Sequence, residues 1–203
     1  TTIGRYAFNG CNNLTQVSLP DGLTCIRSSA FYGDSSLTEI QIPSSVNEIG
    51  SYAFYSCTSI SSVDIPDGVT IINGSTFYGC SNLRSVTIPD SVVTIGDRAF
   101  RECTALTGIS IPNSVVNIES YAFQRCTSLR EIEIPDSVRH IYDAAFAGCI
   151  NLQNIRLSEQ LSEMSKEVLK DCSSLKEITI PDNVTTIENE AFRNCTKVEK
   201  III

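Results

Sequence analysis

Apolar residues return along this chain in one motif every 23 positions, with no insertion or deletion. In Leu83-Arg84-Ser85-Val86-Thr87-Ile88-Pro89, apolar and polar side chains alternate from Val86 to Ile88, the period of a strand with one buried face. The inward columns read Val17, Ile40, Val63, Val86, Ile109, Ile132, Ile155, Ile178, Ile201 and, two residues on, Leu19, Ile42, Ile65, Ile88, Ile111, Ile134, Leu157, Ile180, Ile203. All are β-branched or leucine, which predicts one strand per repeat. Proline follows in seven copies, from Pro20 to Pro181, where its missing N–H ends ladder bonding. The next residue is Asp, Ser or Asn, as in Asp21, Asp67 and Asp90, whose side chain is expected to close an Asx-type turn. A second apolar pair such as Val92 and Ile95 re-enters the core. Ala99, Phe100 and Cys103 then fall near helical spacing and predict one helical or 3-10 turn on an outer, convex side.

The strictest column is aromatic: Phe8, Phe31, Phe54, Phe77, Phe100, Phe123, Phe146, Leu169 and Phe192 hold every phenylalanine of the chain. A chain repeating at this period stacks its copies, and no copy can bury its apolar face alone. The whole of residues 1–203 is therefore read as a single solenoid of about nine units, spanning roughly 40 Å if strands lie about 4.8 Å apart. The copy at 158–180 is irregular: Ser158 stands for Pro, Leu161 for Val, Met164 for Ile, and Val168-Leu169 for Ala-Phe. Its richer content of helix formers predicts a longer turn or a slight bend there. Thr2-Ile3-Gly4 aligns with Thr94-Ile95-Gly96 and the last residues are the strand position Ile201-Ile202-Ile203, so the sequence is expected to be an uncapped fragment of a longer protein.

A formal charge of -8 and the absence of any Lys or Arg cluster exclude a nucleic-acid role, because phosphate binding relies on clustered cations. No apolar run reaches the roughly 18 residues needed to cross a bilayer, so no direct membrane insertion is expected of this stretch. No Cys-x-x-Cys spacing exists for zinc, and the sole histidine, His140, has no triad around it. One carboxylate per repeat, interrupted by Ser44 and Asn113, gives too few converging oxygens for calcium. No acid–base pair and no nucleophile with a base appears either. The reading is therefore non-enzymatic, with no catalytic residues, no cofactor and no metal.

These residues closely resemble the BspA-like, Treponema-type class of leucine-rich repeats, whose 23-residue unit matches Ile-Pro-x-x-Val-x-x-Ile-x-x-x-Ala-Phe-x-x-Cys-x-x-Leu over the whole chain. The resemblance implies a leucine-rich-repeat solenoid, a right-handed β/α superhelix with one parallel β-sheet on the concave side and short helical turns on the convex side. It also implies a cell-surface or secreted protein that adheres to an extracellular-matrix or cell-surface protein, or to a glycan. The family has no general ligand residues to carry over.

Candidate contacts come from the columns. Tyr32, Tyr55 and Tyr78 follow Phe in three consecutive repeats, with Tyr52 and Tyr6 nearby on the convex side. Exposed tyrosines at that density suit a protein or glycan contact, since each offers apolar area and a hydroxyl; the competing view is a ladder that only shields backbone. On the strand face, Arg84, Arg130 and Arg156 near Glu131 and Glu133 form the charged candidate, against which stands plain cross-strand charge pairing. Eight of the nine cysteines form one column from Cys11 to Cys195, with Asp34 as the exception and Cys25 apart. Their Cβ vectors point the same way, poor geometry for disulfides, so they are read as buried small hydrophobes. Sequons begin at Asn13, Asn73, Asn183 and Asn194. A second functional class, a structural spacer presenting another domain, also fits a long uniform stack.

Overall fold

The computed structural model describes residues 1–203 as nine stacked coils. Each begins with a two-residue strand, at Thr2, Cys25, Glu48, Ile71, Thr94, Asn117, His140, Glu163 and Thr186, and the units are numbered 1 to 9 from these residues. All strand pairing is parallel and shifted by one repeat, as in Ser62↔Ser85 and Thr94↔Asn117. No helix is long and apolar enough to cross a membrane.

Two strips of strands run along the stack where the alternation pattern predicts one. The first strip is the expected one, with strands Ser62–Asp64, Ser85–Thr87, Glu131–Glu133, Asn154–Arg156, Glu177–Thr179 and Lys200–Ile202. Its middle residues, such as Val63, Val86 and Ile132, point into the core. The second strip contains the nine opening strands and pairs over longer runs, joining units 1 to 3, 4 to 7, and 8 to 9. Its strands are two residues long, too short to leave a period in the sequence. Between the strips, the bend after proline closes through backbone, Val92 N–H to the Pro89 carbonyl at 3.1 Å and Val138 N–H to Pro135 at 3.0 Å. The Asx closure expected of the aspartates is not formed; Asp136 alone among them accepts a backbone N–H, from Glu159 in the next unit. Ser45, Ser91 and Ser114, one residue further on, instead donate to the carbonyls of Leu23, Val69 and Val92 one unit back.

The helical or 3-10 turn expected after the second strip is also absent, and overlapping β-turns take its place. Over Gly96–Cys103, the N–H groups of Ala99, Arg101 and Cys103 bond three residues back within the unit. Those of Arg98, Phe100 and Glu102 bond instead to Ser120, Ala122 and Gln124 of the next unit, at 2.8–3.0 Å. Because every second N–H leaves the unit, no run of i→i−4 bonds can form. The outer two turns place their third residue in the left-handed region, Arg98 at φ 56° and Glu102 at φ 61°. The same two positions are left-handed in all nine units, from Tyr6 and Gly10 to Glu190 and Asn194. None of those residues is Val, Ile or Thr, whose branched Cβ fits this region worst.

The turns aim Ala, Phe and Cys inward. Phe31 to Phe146 are fully buried, and the rings from Phe8 to Phe146 stack at centroid spacings of 5.1–5.5 Å, nearly parallel. Offset stacking adds about 0.5–1.5 kcal/mol per pair to the burial of each ring. Leu169 interrupts the ladder, leaving Phe192 beyond it.

Left-handed serine is strained where glycine is not, so Ser56→Gly should raise stability. Relief of about 1–2 kcal/mol of strain, less about 0.5–1 kcal/mol for glycine's freer unfolded state, leaves a gain of roughly 0.5–1 kcal/mol. Ser56→Val should lower it. Urea unfolding of the two variants checks both signs, and a Ser56→Gly protein weaker than the parent would contradict the turn geometry.

Candidate interaction surface

The turn face carries the tyrosines because the residue after each inward Phe points out. Tyr32, Tyr55 and Tyr78 stack at 4.5 and 4.7 Å, with interplanar angles of 4° and 13°. They are half-buried rather than exposed, since each ring covers the face of the next. What the ladder offers outward is ring edges and a row of phenol hydroxyls. Burial, reinforced by the neighbouring Tyr32 and Tyr78 phenols, holds the Tyr55 hydroxyl above its ordinary pKa. Tyr52 and Tyr6 are the exposed pair, at 45% and 59%, and both occupy left-handed turn positions that throw the side chain outward. Tyr52 tilts against Tyr55 at 5.9 Å; Tyr6 stacks on no ring.

The aromatic strip continues past the residues the sequence singled out. Arg101, next in the column after Tyr78, sets its guanidinium 5.3 Å from the Tyr78 ring centre and 5.9 Å from Tyr121, while Arg98 lies 4.6 Å over Tyr121. Arg98 also pairs with Asp97, and Glu102 bridges Arg125 at 3.4 Å and Arg101 at 3.6 Å. Arg101 makes its contact with Glu102 through Nε, and Gln124 Oε1 in the next unit is buried there without a hydrogen-bond partner. The column Tyr32, Tyr55, Tyr78, Arg101 is legible in the sequence, but the change from ring to guanidinium hid its continuity.

On the first strip, the charged candidate is brought together only in part. Arg156 lies 3.7 Å from Glu133 and makes a two-pronged contact with Asp136, 3.1–3.2 Å from each oxygen. The Glu159 N–H and then Arg156 hold the Asp136 carboxyl below its usual range, and Asp136 holds the Arg156 guanidinium above its own. Arg84, Arg130 and Glu131 are exposed and join no ion pair. Beside this group Gly108 leaves a shallow hollow of about 450 Å³, bordered by Ser110, Glu131, Asn154 and Arg156. Arg156 spends its charge inside the protein, which favours cross-strand pairing over ligand recognition at that residue.

The cysteine column is a hydrogen-bonding device. Cys57 donates its thiol to the Phe31 carbonyl at 3.0 Å, and Cys80, Cys103, Cys126, Cys149 and Cys172 do the same to the Phe one unit back. Each such carbonyl also takes the N–H of the residue in this column of its own unit, as Phe100 takes that of Cys103 at 3.1 Å and Phe31 that of Asp34 at 3.2 Å. Burial pushes the thiols of Cys80 and Cys126 up to about 12, and the others in the buried run also rise. All nine cysteines are free. Asp34 fills the column in unit 2, fully buried, with Oδ1 accepting the Cys11 N–H at 2.7 Å and Oδ2 unpartnered. Burial raises its pKa against the opposing backbone N–H groups of Cys11 and Gly10. Three sequon amides serve the stack as well: Asn73, Asn183 and Asn194 each donate at 2.7 Å to a neighbouring unit, whereas Asn13 is exposed.

Two outcomes follow from this column. Iodoacetamide on the native protein should modify Cys11 and, more slowly, half-buried Cys195, with the other thiols reacting only on unfolding; labelling of Cys103 or Cys126 under native conditions would overturn that account. Asp34 has a folded pKa above its unfolded value, so the folded state binds its proton more tightly. The stability it contributes is present at acid pH and is lost as pH rises from about 4 through the folded pKa. Asp34→Cys should therefore stabilise the protein at neutral pH and stabilise it less near pH 4, as read by thermal unfolding at the two pH values.

Comparison with known proteins agrees with the geometry. The BspA type leucine rich repeat region matches in six copies, over residues 1–116 and 93–203. No curated protein sequence matches the chain. Among solved structures, a leucine-rich repeat protein of T. pallidum is 33% identical with a TM-score of 0.70, covering 80% of this chain and 75% of its own. A leucine rich cell surface protein of Faecalibacterium prausnitzii is 30% identical with a TM-score of 0.53, covering 100% of this chain and 76% of its own. The pneumococcal vaccine antigen PcpA, 19% identical over 91% of this chain and 67% of its own, shares the fold with a TM-score of 0.57. With the repeat, the two parallel strips and the matched family in agreement over its whole length, the chain belongs to the BspA type leucine-rich repeat family.

Proposed function

We propose that this chain is a non-enzymatic recognition module of a cell-surface or secreted protein, and that it adheres to a protein or glycan partner through the turn face of units 1 to 5. The observation that carries this reading is the aromatic strip: five tyrosines between Tyr6 and Tyr78, three of them in a rigid ladder that ends on Arg101. Tyrosine held in a fixed rotamer offers apolar area and hydroxyls with little entropy left to lose on binding. Family membership and the cell-surface description of the Faecalibacterium prausnitzii relative support the location and the adhesive role.

Stacked faces are closed to a sugar ring, so the ladder would act through edges and hydroxyls, with Tyr52 as its one tilted ring. Substitutions that the repeat already contains keep the test clean. Ser29 and Ser75 occupy the Tyr6 and Tyr52 column, and Ala147 occupies that of Tyr32, Tyr55 and Tyr78. Tyr6→Ser with Tyr52→Ser, and separately Tyr32, Tyr55 and Tyr78→Ala, should weaken saturable binding to immobilised matrix proteins or mucin while unfolding stays cooperative. Undiminished binding by both variants would remove the tyrosine strip from the reading. No saturable binding by the parent to any of these ligands would favour the spacer, which the unbroken turn-face bonding of all nine units also suits.

A further inference from the structure

Across units 4 to 7 the second strip forms the widest sheet in the molecule, four parallel strands from Ile71 to His140. The residue before each strand extends it: Val93 N–H bonds Thr70 O, Val116 bonds Val93 and Arg139 bonds Val116, at 2.8–2.9 Å. Both of these columns point outward. Ile71 is 46% and Val93 42% exposed, and Val116 is half-buried beside them. Tyr142, also exposed, lengthens the patch under the His140 ring, 5.9 Å away. In units 4 to 6 the two columns hold Thr70, Ile71, Val93, Thr94, Val116 and Asn117, with no charge among them.

Charges of opposite sign close the two ends. Glu48 stands in unit 3, and Arg139 and His140 stand in unit 7. Glu48 and His140 share one column, two repeats to either side of Thr94. All three are exposed, and none enters an ion pair within the chain. A two-fold axis along the unit 5 strand turns this face onto itself, unit 4 meeting unit 6 and unit 3 meeting unit 7. Val93 then lies against its own copy, Thr70 and Ile71 against Val116 and Asn117, and Glu48 against His140 with Arg139 beside it. Such self-complementarity is what an isologous contact requires. Neighbouring registers lack it: an axis between units 5 and 6 sets Glu48 against Glu163, and one on unit 6 sets Ile71 against Glu163. Asp97, the charge nearest the unit 5 axis, is paired with Arg98 on its own chain.

We propose that this face docks a second copy of the chain, with the stacks antiparallel about the unit 5 axis. Five units about 4.8 Å apart, each presenting four residues about 3.3 Å apart, make a face of roughly 300 Å². A stable complex buries roughly 800 Å² per partner, so the contact is weak, and it forms at high chain concentration or between copies tethered side by side. The face is separate from the tyrosine strip, and the dimer stands whatever that strip binds.

Cysteines placed on and about the axis test this. The column of Val93 already holds Thr, Asn, Arg and Ser, so substitution there leaves the fold intact. With Cys11 and Cys195 changed to Ser, Val93→Cys should form a disulfide-linked dimer under mild oxidation several-fold faster than Ser85→Cys on the first strip. Thr70→Cys and Val116→Cys proteins, once mixed, should couple to each other faster than either couples to itself. Glu48→Arg in the Val93→Cys protein should slow its coupling, and adding Arg139→Glu and His140→Glu should restore it. Coupling of Val93→Cys no faster than that of Ser85→Cys would overturn the dimer. A Thr70→Cys and Val116→Cys mixture without preference, or charge reversals without effect, would overturn the unit 5 register.

Discussion

Three backbone N–H groups per unit, handed from its turn segment to carbonyls of the next, are the constraint on which the rest of this structure rests. They recur at every junction, from Tyr6, Phe8 and Gly10 bonding unit 2 to Glu167, Leu169 and Asp171 bonding unit 9. Both strand strips have gaps; this set has none. Alternation is what makes it possible, because N–H groups that do not leave the unit close local turns and no donor is stranded. The left-handed residues at two places per unit are the cost of that alternation, and it recurs along the stack because the inter-unit bonds it permits do so too.

Those turns decide what the core can be. Each presents Phe and Cys inward at fixed separation, so the Phe carbonyl receives an N–H from its own unit and a thiol from the next. Cysteine is small enough to pack and carries a donor for the second lone pair of a buried carbonyl, which alanine would leave unmet. Asp34 shows the demand from the other side: a carboxyl in the same slot keeps one oxygen bonded and the other bare. The outward positions are free of these demands, and there the tyrosines and arginines collect.

Much of this is legible in the residues. The columns of Val, Ile, Phe and Cys announced a stack and its inward faces, and the departures at Ser158, Val168 and Leu169 marked the one irregular unit. The convex turn misled because Ala99, Phe100 and Cys103 have helical spacing, while the competing acceptors lie 22 residues away in the next coil, where no local pattern can register them. The second strip escaped because two residues cannot show a period. Tyr32, Tyr55 and Tyr78 were rightly placed on one face, but their half-burial follows from ring against ring at 4.5–4.7 Å, a distance set by coil spacing. Asp136 as the main partner of Arg156 depends on a bend between units that the strand register alone does not reveal.

The alternation of donors also bears on how such a chain can change over generations. A residue inserted into or removed from the turn segment exchanges the N–H groups that look inward along the chain for those that look across to the neighbour, and so uncouples a whole coil at once. Length is thus guarded far more tightly than chemistry. New specificity in this architecture has to be written by exchanging side chains on a lattice of fixed addresses, in contrast to folds that diversify by growing loops.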